Sequence, residues 1–166
     1  RLFSCLKGTV MSVKTQGSEL FFADSTATIP AMVKMACPTG ISGLGGAADQ
    51  IDTTCLDNAE DRTYERGLGN PGQVSVPFVL KPSEASHKRL FELKASGVSM
   101  NWMICLSDGT ADPVYAAGSL TPPSARTSVG FTAYISDVAI DIATNEVVRG
   151  TLTLQRSGAV VPTWKV

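Results

Sequence analysis

Large apolar residues occupy every second position from Val98 to Leu106. A period of two places alternate side chains on one face of a β-strand, so this segment predicts a strand with one face in the core. Ser107-Asp108-Gly109 follows it with residues typical of a turn. A weaker alternation near the start of the chain predicts a hairpin of two strands, Thr9–Val13 and Glu19–Ala23, and a short strand at Ala31–Ala36.

A second regular strand is predicted from Val74 to Leu80. Its Pro77 has no amide hydrogen to donate to a neighbouring strand, so we expect this strand to lie at the edge of the sheet or to bulge there. In an assembly, an edge of this kind is available for pairing with another subunit. The residues expected to form this inter-subunit edge are Gln73, Ser75 and Pro77.

The longest β pattern predicts a hairpin over about residues 128–155. Its apolar residues keep one phase up to Ile135 and the other from Val138, which requires a bulge, placed here at Ser136-Asp137. We expect the hairpin to end near Ser157-Gly158 and residues 159–166 to form an extended tail. The opposite, polar face of the hairpin carries Ser128, Thr132, Tyr134, Asp137, Asp141, Arg149, Thr151 and Thr153.

One α-helix is predicted over about residues 83–96. Pro82 suits the start of a helix and Gly97 suits its end, and His87 is expected to face solvent on it. With at least six strands and one helix between two of them, the fold class is mainly β with one flanking helix (α+β), as a β-sandwich or a rolled antiparallel sheet. At 166 residues the chain is most simply one domain, residues 1–166.

Periodicity is lost from Asp57 to Gly72, directly after a strand-like segment at Ile51–Leu56. A patternless stretch of about 16 residues inside a compact domain is usually functional or disordered. Its charges alternate in sign, which suits docking onto another protein better than binding to nucleic acid. The candidate contact residues are Asp57, Glu60, Asp61, Arg62, Tyr64, Glu65 and Arg66.

The composition is that of a folded chain with few charges. Hydrophobic residues make up 43% of it and charged residues 17%, below the usual quarter, and the net charge is −1. Nucleic-acid-binding domains normally carry a basic patch, and no run of Lys or Arg occurs here, so DNA binding is not expected as the main role. No apolar stretch of about 18 residues is present, so no transmembrane helix is predicted.

The sequence offers little for catalysis or for metal binding. His87 is the single histidine and no CxxC pair occurs, so no zinc site is predicted. Gly43, Gly45 and Ala48 match a loosened dinucleotide fingerprint, but β-prone residues follow where that motif needs a helix. We therefore expect no cofactor and no enzymatic activity. Free thiols are expected at the four scattered cysteines, Cys5, Cys37, Cys55 and Cys105.

Several segments share their residues and their order with a known family. A strand ending in Asp52-Thr53-Thr54-Cys55-Leu56-Asp57 is followed by a charged stretch with Tyr64 and by Gly-Leu-x-x-x-Gly-x-Val at residues 67–74. A short helix, a strand ending at Asp108-Gly109 and a long hairpin come next in the same order. Over about residues 40–158 the chain resembles the major tail tube proteins of long-tailed (siphovirus) bacteriophages.

The resemblance implies a structural role in the virion. It implies the tail tube fold, with subunits in hexameric rings whose strands join into one inner β-barrel. Such rings stack into a hollow tube around a tape-measure protein, with tail tip and terminator proteins at the ends, and viral DNA later passes through without specific binding. It further implies assembly in the host cytoplasm and, together with the mixed charges, ring stacking through residues 57–72. From the polarity of its residues, we expect the polar face of the hairpin to line the lumen.

Two alternatives from other classes remain open. A tail terminator, a head–tail joining protein or a secretion-system tube protein would share the fold, and single rings that never stack would identify a terminator or joining protein. A ligand-binding β-sandwich would need aromatic residues clustered on an exposed face. The two tryptophans, Trp102 and Trp164, are far apart in the sequence, and Trp102 has the core-facing phase.

Overall fold

A computed structural model of the chain describes residues 12–57 and 60–166. Within these residues it contains ten strands and one helix. Their bounds are β1 Glu19–Asp24, β2 Ala31–Lys34, β3 Ala48–Asp52, β4 Tyr64–Gly69, β5 Gln73–Val79, α1 Ala85–Ser96, β6 Met100–Cys105, β7 Val114–Ala116, β8 Ser119–Thr121, β9 Ser128–Asp141 and β10 Arg149–Thr163.

Six strands form one antiparallel sheet in the spatial order β2-β1-β6-β9-β10-β5. Two separate hairpins, β3–β4 and β7–β8, stand beside it. The predicted strands at the start of the chain are confirmed in β1 and β2, which pair with each other. Of the strand predicted at Thr9–Val13, residues 9–11 lie outside the described residues, as does Cys5, and Ser12 and Val13 are not in a strand.

The main core lies between α1 and one face of the sheet. Trp102 of β6 is 1% exposed, its indole N–H donates to the carbonyl of Ala133 at 3.1 Å, and its ring lies 4.9 Å from that of Phe22. The alternation that predicted β6 is thus confirmed as a core-facing phase. On the other face, the β7–β8 hairpin covers β1 and β6 with Leu120 and Tyr115, while no hairpin among the described residues covers β9, β10 and β5 in this way.

The helix begins at Ala85, two residues later than predicted, and ends as predicted at Ser96, before Gly97, which has a φ of 63°. The expectation that His87 faces solvent is wrong, because the residue is 1% exposed. Its Nδ1 accepts from the amide of Lys81 at 3.0 Å and its Nε2 donates to the carbonyl of Ala36 at 2.8 Å. The imidazole thus bonds to backbone groups of two distant segments, which accounts for its place in the interior.

The β9–β10 hairpin confirms the predicted bulge. Thr153 pairs with Asp137 and Leu154 with Ile135, which leaves Ser136 as the extra residue. The predicted end at Ser157-Gly158 is wrong, because β10 continues to Thr163 after a second irregularity. Gly158 has a φ of 84°, so it allows the chain to bulge and resume pairing instead of turning away.

The stretch from Asp57 to Gly72 is also more regular than predicted. It contains β4, which pairs with β3 from Gln50↔Arg66 to Asp52↔Tyr64. The two strands form a hairpin, residues 48–69, which we call the arm. Most residues of both strands are exposed on both faces. A strand exposed on both faces has no reason to alternate apolar and polar residues, which is why the pattern did not reveal it.

Arg126 is a buried charge that ties three segments together. Its side chain is 1% exposed, and Nη1 lies 2.7 Å from a carboxylate oxygen of Glu19. Nη2 donates to the carbonyls of Gly17 at 2.8 Å and Cys105 at 3.2 Å. These contacts hold the segment that leads into β1 beside the last residue of β6.

We expect Arg126→Met to lower the free energy of unfolding by about 3 kcal/mol, because it leaves the carbonyls of Gly17 and Cys105 without this donor and Glu19 with only Lys34. Urea unfolding followed by circular dichroism measures the change. Arg149→Met is the matched control, since Arg149 is exposed and should change the value by less than about 0.5 kcal/mol. Equal losses in the two variants would contradict the role given to Arg126.

Candidate assembly surfaces

The arm is the first candidate surface. A short hydrogen-bond network fixes its tip, where the Thr53 amide donates to the Thr63 carbonyl at 2.9 Å and the Thr54 hydroxyl donates to Asp52 at 2.6 Å. The bond from Thr54 lowers the pKa of Asp52 below its ordinary value. The arm therefore leaves the sheet as an ordered hairpin and not as a patternless loop.

The structure brings all seven predicted contact residues together on this arm. Tyr64, Glu65 and Arg66 lie in β4 and the other four lie at the tip. All seven are exposed, and none takes part in an ion pair with another described residue. Large apolar side chains are exposed on the same arm, which is typical of a surface that docks onto a partner. They are Ile51, Leu56, Tyr64 and Leu68.

The uncovered face of β9, β10 and β5 is the second candidate surface. Strand pairing aligns its residues in rows across the three strands, because directly paired residues share a face. Three such rows cross the strands in the order β9, β10, β5. They are Tyr134–Gln155–Gln73, Asp137–Thr153–Ser75 and Ala139–Thr151–Pro77. The predicted hairpin set and the predicted β5 set thus lie largely on one polar face.

The residues at the two ends of the predicted hairpin set lie outside these three rows. Asp141 and Arg149 pair at the far end of the same face and are exposed. Ser128 does not belong to an exposed surface, because it is 1% exposed and its hydroxyl has no hydrogen-bond partner among the described residues. Ser128 pairs with Cys105 at the covered part of the sheet, which removes it from the candidate face.

Asp137 is the one charged residue in the three rows. Lys94 of α1 reaches it with Nζ 2.5 Å from Oδ1, and this contact lowers the pKa of Asp137 below its ordinary value. The amide of Val138 also donates to Oδ1, at 2.9 Å. The charge of Asp137 is therefore compensated by a lysine that comes from the side of the helix.

Sheet edges form the third candidate surface. The expectation of an open edge at Gln73, Ser75 and Pro77 is corrected, although β5 is the last strand of the sheet as predicted. Residues 37–42 run along it. Ser42 and Ser75 exchange backbone hydrogen bonds of 3.0 and 2.9 Å, and the Thr39 amide donates to the Pro77 carbonyl at 2.8 Å. This segment begins at Cys37, which has a φ of 49°. The strand pattern of β5 alone does not indicate that another segment runs along its edge.

An open edge occurs in β9 instead. β6 pairs with β9 only as far as Ala133, so among the described strands none pairs with that side of β9 from Tyr134 to Asp141. The Val138 amide faces this side, because it donates to Asp137 and not to β10. A second stretch of strand edge lies in β10, where residues 157–163 continue beyond Gln155, the last residue of β10 that pairs with β5.

Sequence reasoning missed one residue that bears on these surfaces. Arg156 follows Leu152 and Leu154 in the core-facing phase of β10, and it is 5% exposed. The sequence does carry a signal for this residue, because a charged side chain stands where the alternation of β10 places apolar ones.

Within residues 12–57 and 60–166, no group of three or more His, Cys, Asp and Glu side chains is placed to hold a metal ion. In the same part of the chain, every helix is too short or too polar to cross a membrane. Cys37, Cys55 and Cys105 form no disulfide with one another, and burial raises the pKa of Cys105 to about 11.

A family model and a curated phage protein each match most of this chain. A family model described as phage tail tube, TTP, lambda-like, matches residues 11–166. "Structural protein 3" of Pseudomonas phage PAJU2 is 35% identical over 154 residues, which cover 90% of this chain and 92% of that protein.

Solved structures share the fold at low sequence identity. The tail tube of SPP1 matches with a TM-score of 0.65 and 12% identity, over 93% of this chain and 81% of that one. The sheath/tube terminator of the extracellular contractile injection system PVC matches with a TM-score of 0.68 and 13% identity, over 94% and 99%. The tail of an empty gene transfer agent particle, refined with C6 symmetry, matches with a TM-score of 0.60 and 16% identity, over 88% and 96%.

Proposed function

This chain belongs to the lambda-like phage tail tube family, and we propose that its copies close into hexameric rings that stack into the hollow tube of a phage tail. Membership makes it a structural protein of the virion tail. The observation that carries the ring proposal is the open edge of β9 from Tyr134 to Asp141. Six-fold symmetry is proposed by analogy with the gene transfer agent tail, which was refined with C6 symmetry.

Ring closure follows from pairing of unlike edges. An exposed strand edge is a template for another strand, and a closed barrel is the arrangement that removes it. A ring needs two different edges on each subunit, because its contacts are head-to-tail. The edge of β9 supplies one, and residues 157–163 of β10 supply the other. Side by side, the hairpins of six copies then form a continuous inner barrel, in place of the pairing first expected at β5.

The polar face of the hairpin lines the lumen in this proposal. Its three central rows contain hydroxyl, amide and small side chains and one carboxylate, Asp137, which Lys94 compensates. Each Lys or Arg that contacts a phosphate adds salt-dependent affinity for DNA. Arg149, at the far end of this face, is the one Lys or Arg among the residues assigned to it. A wall with so few such contacts lets viral DNA pass without specific binding, and it equally suits the tape-measure protein that the tube surrounds during assembly.

A lysine placed on this face should make the tube retain DNA. We expect tubes of Thr153→Lys to co-sediment with a short DNA duplex at low salt and to release it as salt rises, because the added charges contact phosphates. Ile29→Lys is the matched control, since Ile29 is exposed in the connection between β1 and β2, away from the hairpin. Equal DNA binding by both variants would show that Thr153 does not face the lumen.

The arm stacks one ring on the next. It carries mixed charges and exposed apolar residues outside the sheet. Antiparallel strands of five and six residues extend about 20 Å, since each residue adds about 3.4 Å, so the tip reaches well beyond the sheet. Tail tip and terminator proteins meet the same surfaces at the two ends of the tube.

A terminator ring is the second candidate function, because the PVC terminator shares the fold over nearly its whole length. Negative-stain electron microscopy of the purified chain across a concentration series separates the two. We expect hollow tubes with a regular axial repeat. Single rings at every concentration would identify a terminator or joining protein, and a monomer throughout would contradict self-assembly of the isolated chain.

A further inference from the structure

Arg156 is a buried charge without a counter-ion among the described residues. Its side chain is 5% exposed, and Nη2 donates to the carbonyl of Gly45. Nε has no hydrogen-bond partner among the described residues, and no described carboxylate lies within ion-pair distance of the guanidinium. Residues 1–11, 58 and 59, which the structure does not describe, contain no Asp or Glu. A buried charge in this state requires a partner.

The guanidinium lines a cleft of about 360 Å³ at the base of the arm. Arg66 of β4 lines the same cleft, together with Asn70 and the apolar residues Leu44 and Val160. A side chain at Gly46 would come within 3.1 Å of Nη2 and 2.6 Å of the Asn70 carbonyl, so glycine keeps the space open. The cleft thus combines two positive side chains, an amide and apolar walls, which suits a carboxylate on a protein chain.

We propose that this cleft receives a carboxylate from the arm tip of a second copy in the adjacent ring, and this rests on the proposed stacking function. The tip carries three exposed acids, Asp57, Glu60 and Asp61, none of them in an ion pair within the described chain. A guanidinium binds a carboxylate through two parallel hydrogen bonds. Every subunit carries both a tip and a cleft, so the contact repeats without limit along a tube.

Disulfide trapping tests the contact in assembled tubes. Cys55 is exposed and lies two residues before Asp57, so Asn70→Cys at the rim should form a disulfide with Cys55 of the next ring under mild oxidation. We expect chains linked into a ladder on a non-reducing gel. The ladder should vanish when Cys55→Ser is added, and Thr144→Cys in the β9–β10 turn should give none. Tubes that form without a Cys55-dependent ladder would overturn the proposal.

Removal of the acid charge tests the chemistry without touching Arg156. Asp57→Asn, Glu60→Gln and Asp61→Asn are made singly, with Glu146→Gln as the matched control on an exposed acid in the β9–β10 turn. We expect one of the three to raise the concentration needed for tubes by about tenfold or more, because the docked charge is lost. Three variants that assemble like the control would overturn the proposal.

The two proposals fail in different ways. If the unmodified chain forms no tubes, the proposed function fails before the cleft is tested. If tubes form and only added inorganic phosphate, not the arm acids, affects their assembly, the cleft takes a small anion and the arm-to-cleft contact is wrong.

Discussion

Ile140→Pro should prevent ring closure while leaving the subunit folded. The Val138 amide faces the open side of β9, and residues two apart in a strand present their amides on the same side, so the Ile140 amide faces that side as well. Proline removes this donor without breaking a bond to β10. Each interface loses about 1 to 2 kcal/mol from the missing hydrogen bond, and the proline ring also blocks the approaching strand. Native mass spectrometry measures the loss of hexamers.

Ile140→Thr is the matched control, because it removes the exposed apolar side chain but keeps the amide. We expect this variant to form rings like the unmodified chain. The unfolding transition of both variants should stay within about 1 kcal/mol of the unmodified chain, since the residue is exposed at an edge. Normal hexamers of Ile140→Pro, with the fold intact, would exclude this edge from the ring contact.

Tyr64→Ala should leave rings intact and block their stacking. Tyr64 is half exposed at the start of β4, beside the charged tip, and aromatic residues are frequent anchors of interfaces. Loss of such an anchor costs about 2 kcal/mol or more at each contact, and six contacts act together between two hexamers. Electron microscopy should show single rings where the unmodified chain gives tubes.

Tyr64→Phe separates the ring of this side chain from its hydroxyl. We expect the phenylalanine variant to form tubes, because the apolar contact area is kept. Tubes of normal length in Tyr64→Ala would remove the residue from the stacking surface. Loss of rings in that variant would mean that the arm acts within a ring and not between rings.

The parts of the fold that the sequence predicted are those where large apolar residues of one strand phase pack against the main core. β6 and β9 each pack one phase against the core, so period two is visible, and the phase change at Ser136 marks a real bulge. The C-terminal end of α1 follows from Gly97, whose positive φ is a local property of the chain. In these places the physical cause lies within a few residues.

The parts that the sequence did not predict depend on contacts between distant segments or on surfaces that face solvent. β4 is exposed on both faces, so it carries no apolar period. His87 is buried because Ala36 and Lys81 supply its partners. The edge of β5 is closed by residues 37–42, which no strand pattern indicates. The seven arm residues are exposed, as a contact surface requires, and their role in stacking stays a prediction. Their place on a paired hairpin appears only in the structure.

Helical reconstruction of tubes grown from the purified chain would show which strand edges join neighbouring subunits. We expect the backbone of β9 from Tyr134 to Asp141 to lie within hydrogen-bond distance of a strand of the neighbouring subunit. We also expect Thr151 and Thr153 to face the lumen and the arm to enter the adjacent ring. A map in which this edge of β9 faces solvent, or in which the hairpin lies on the outside of the tube, would exclude the proposed ring.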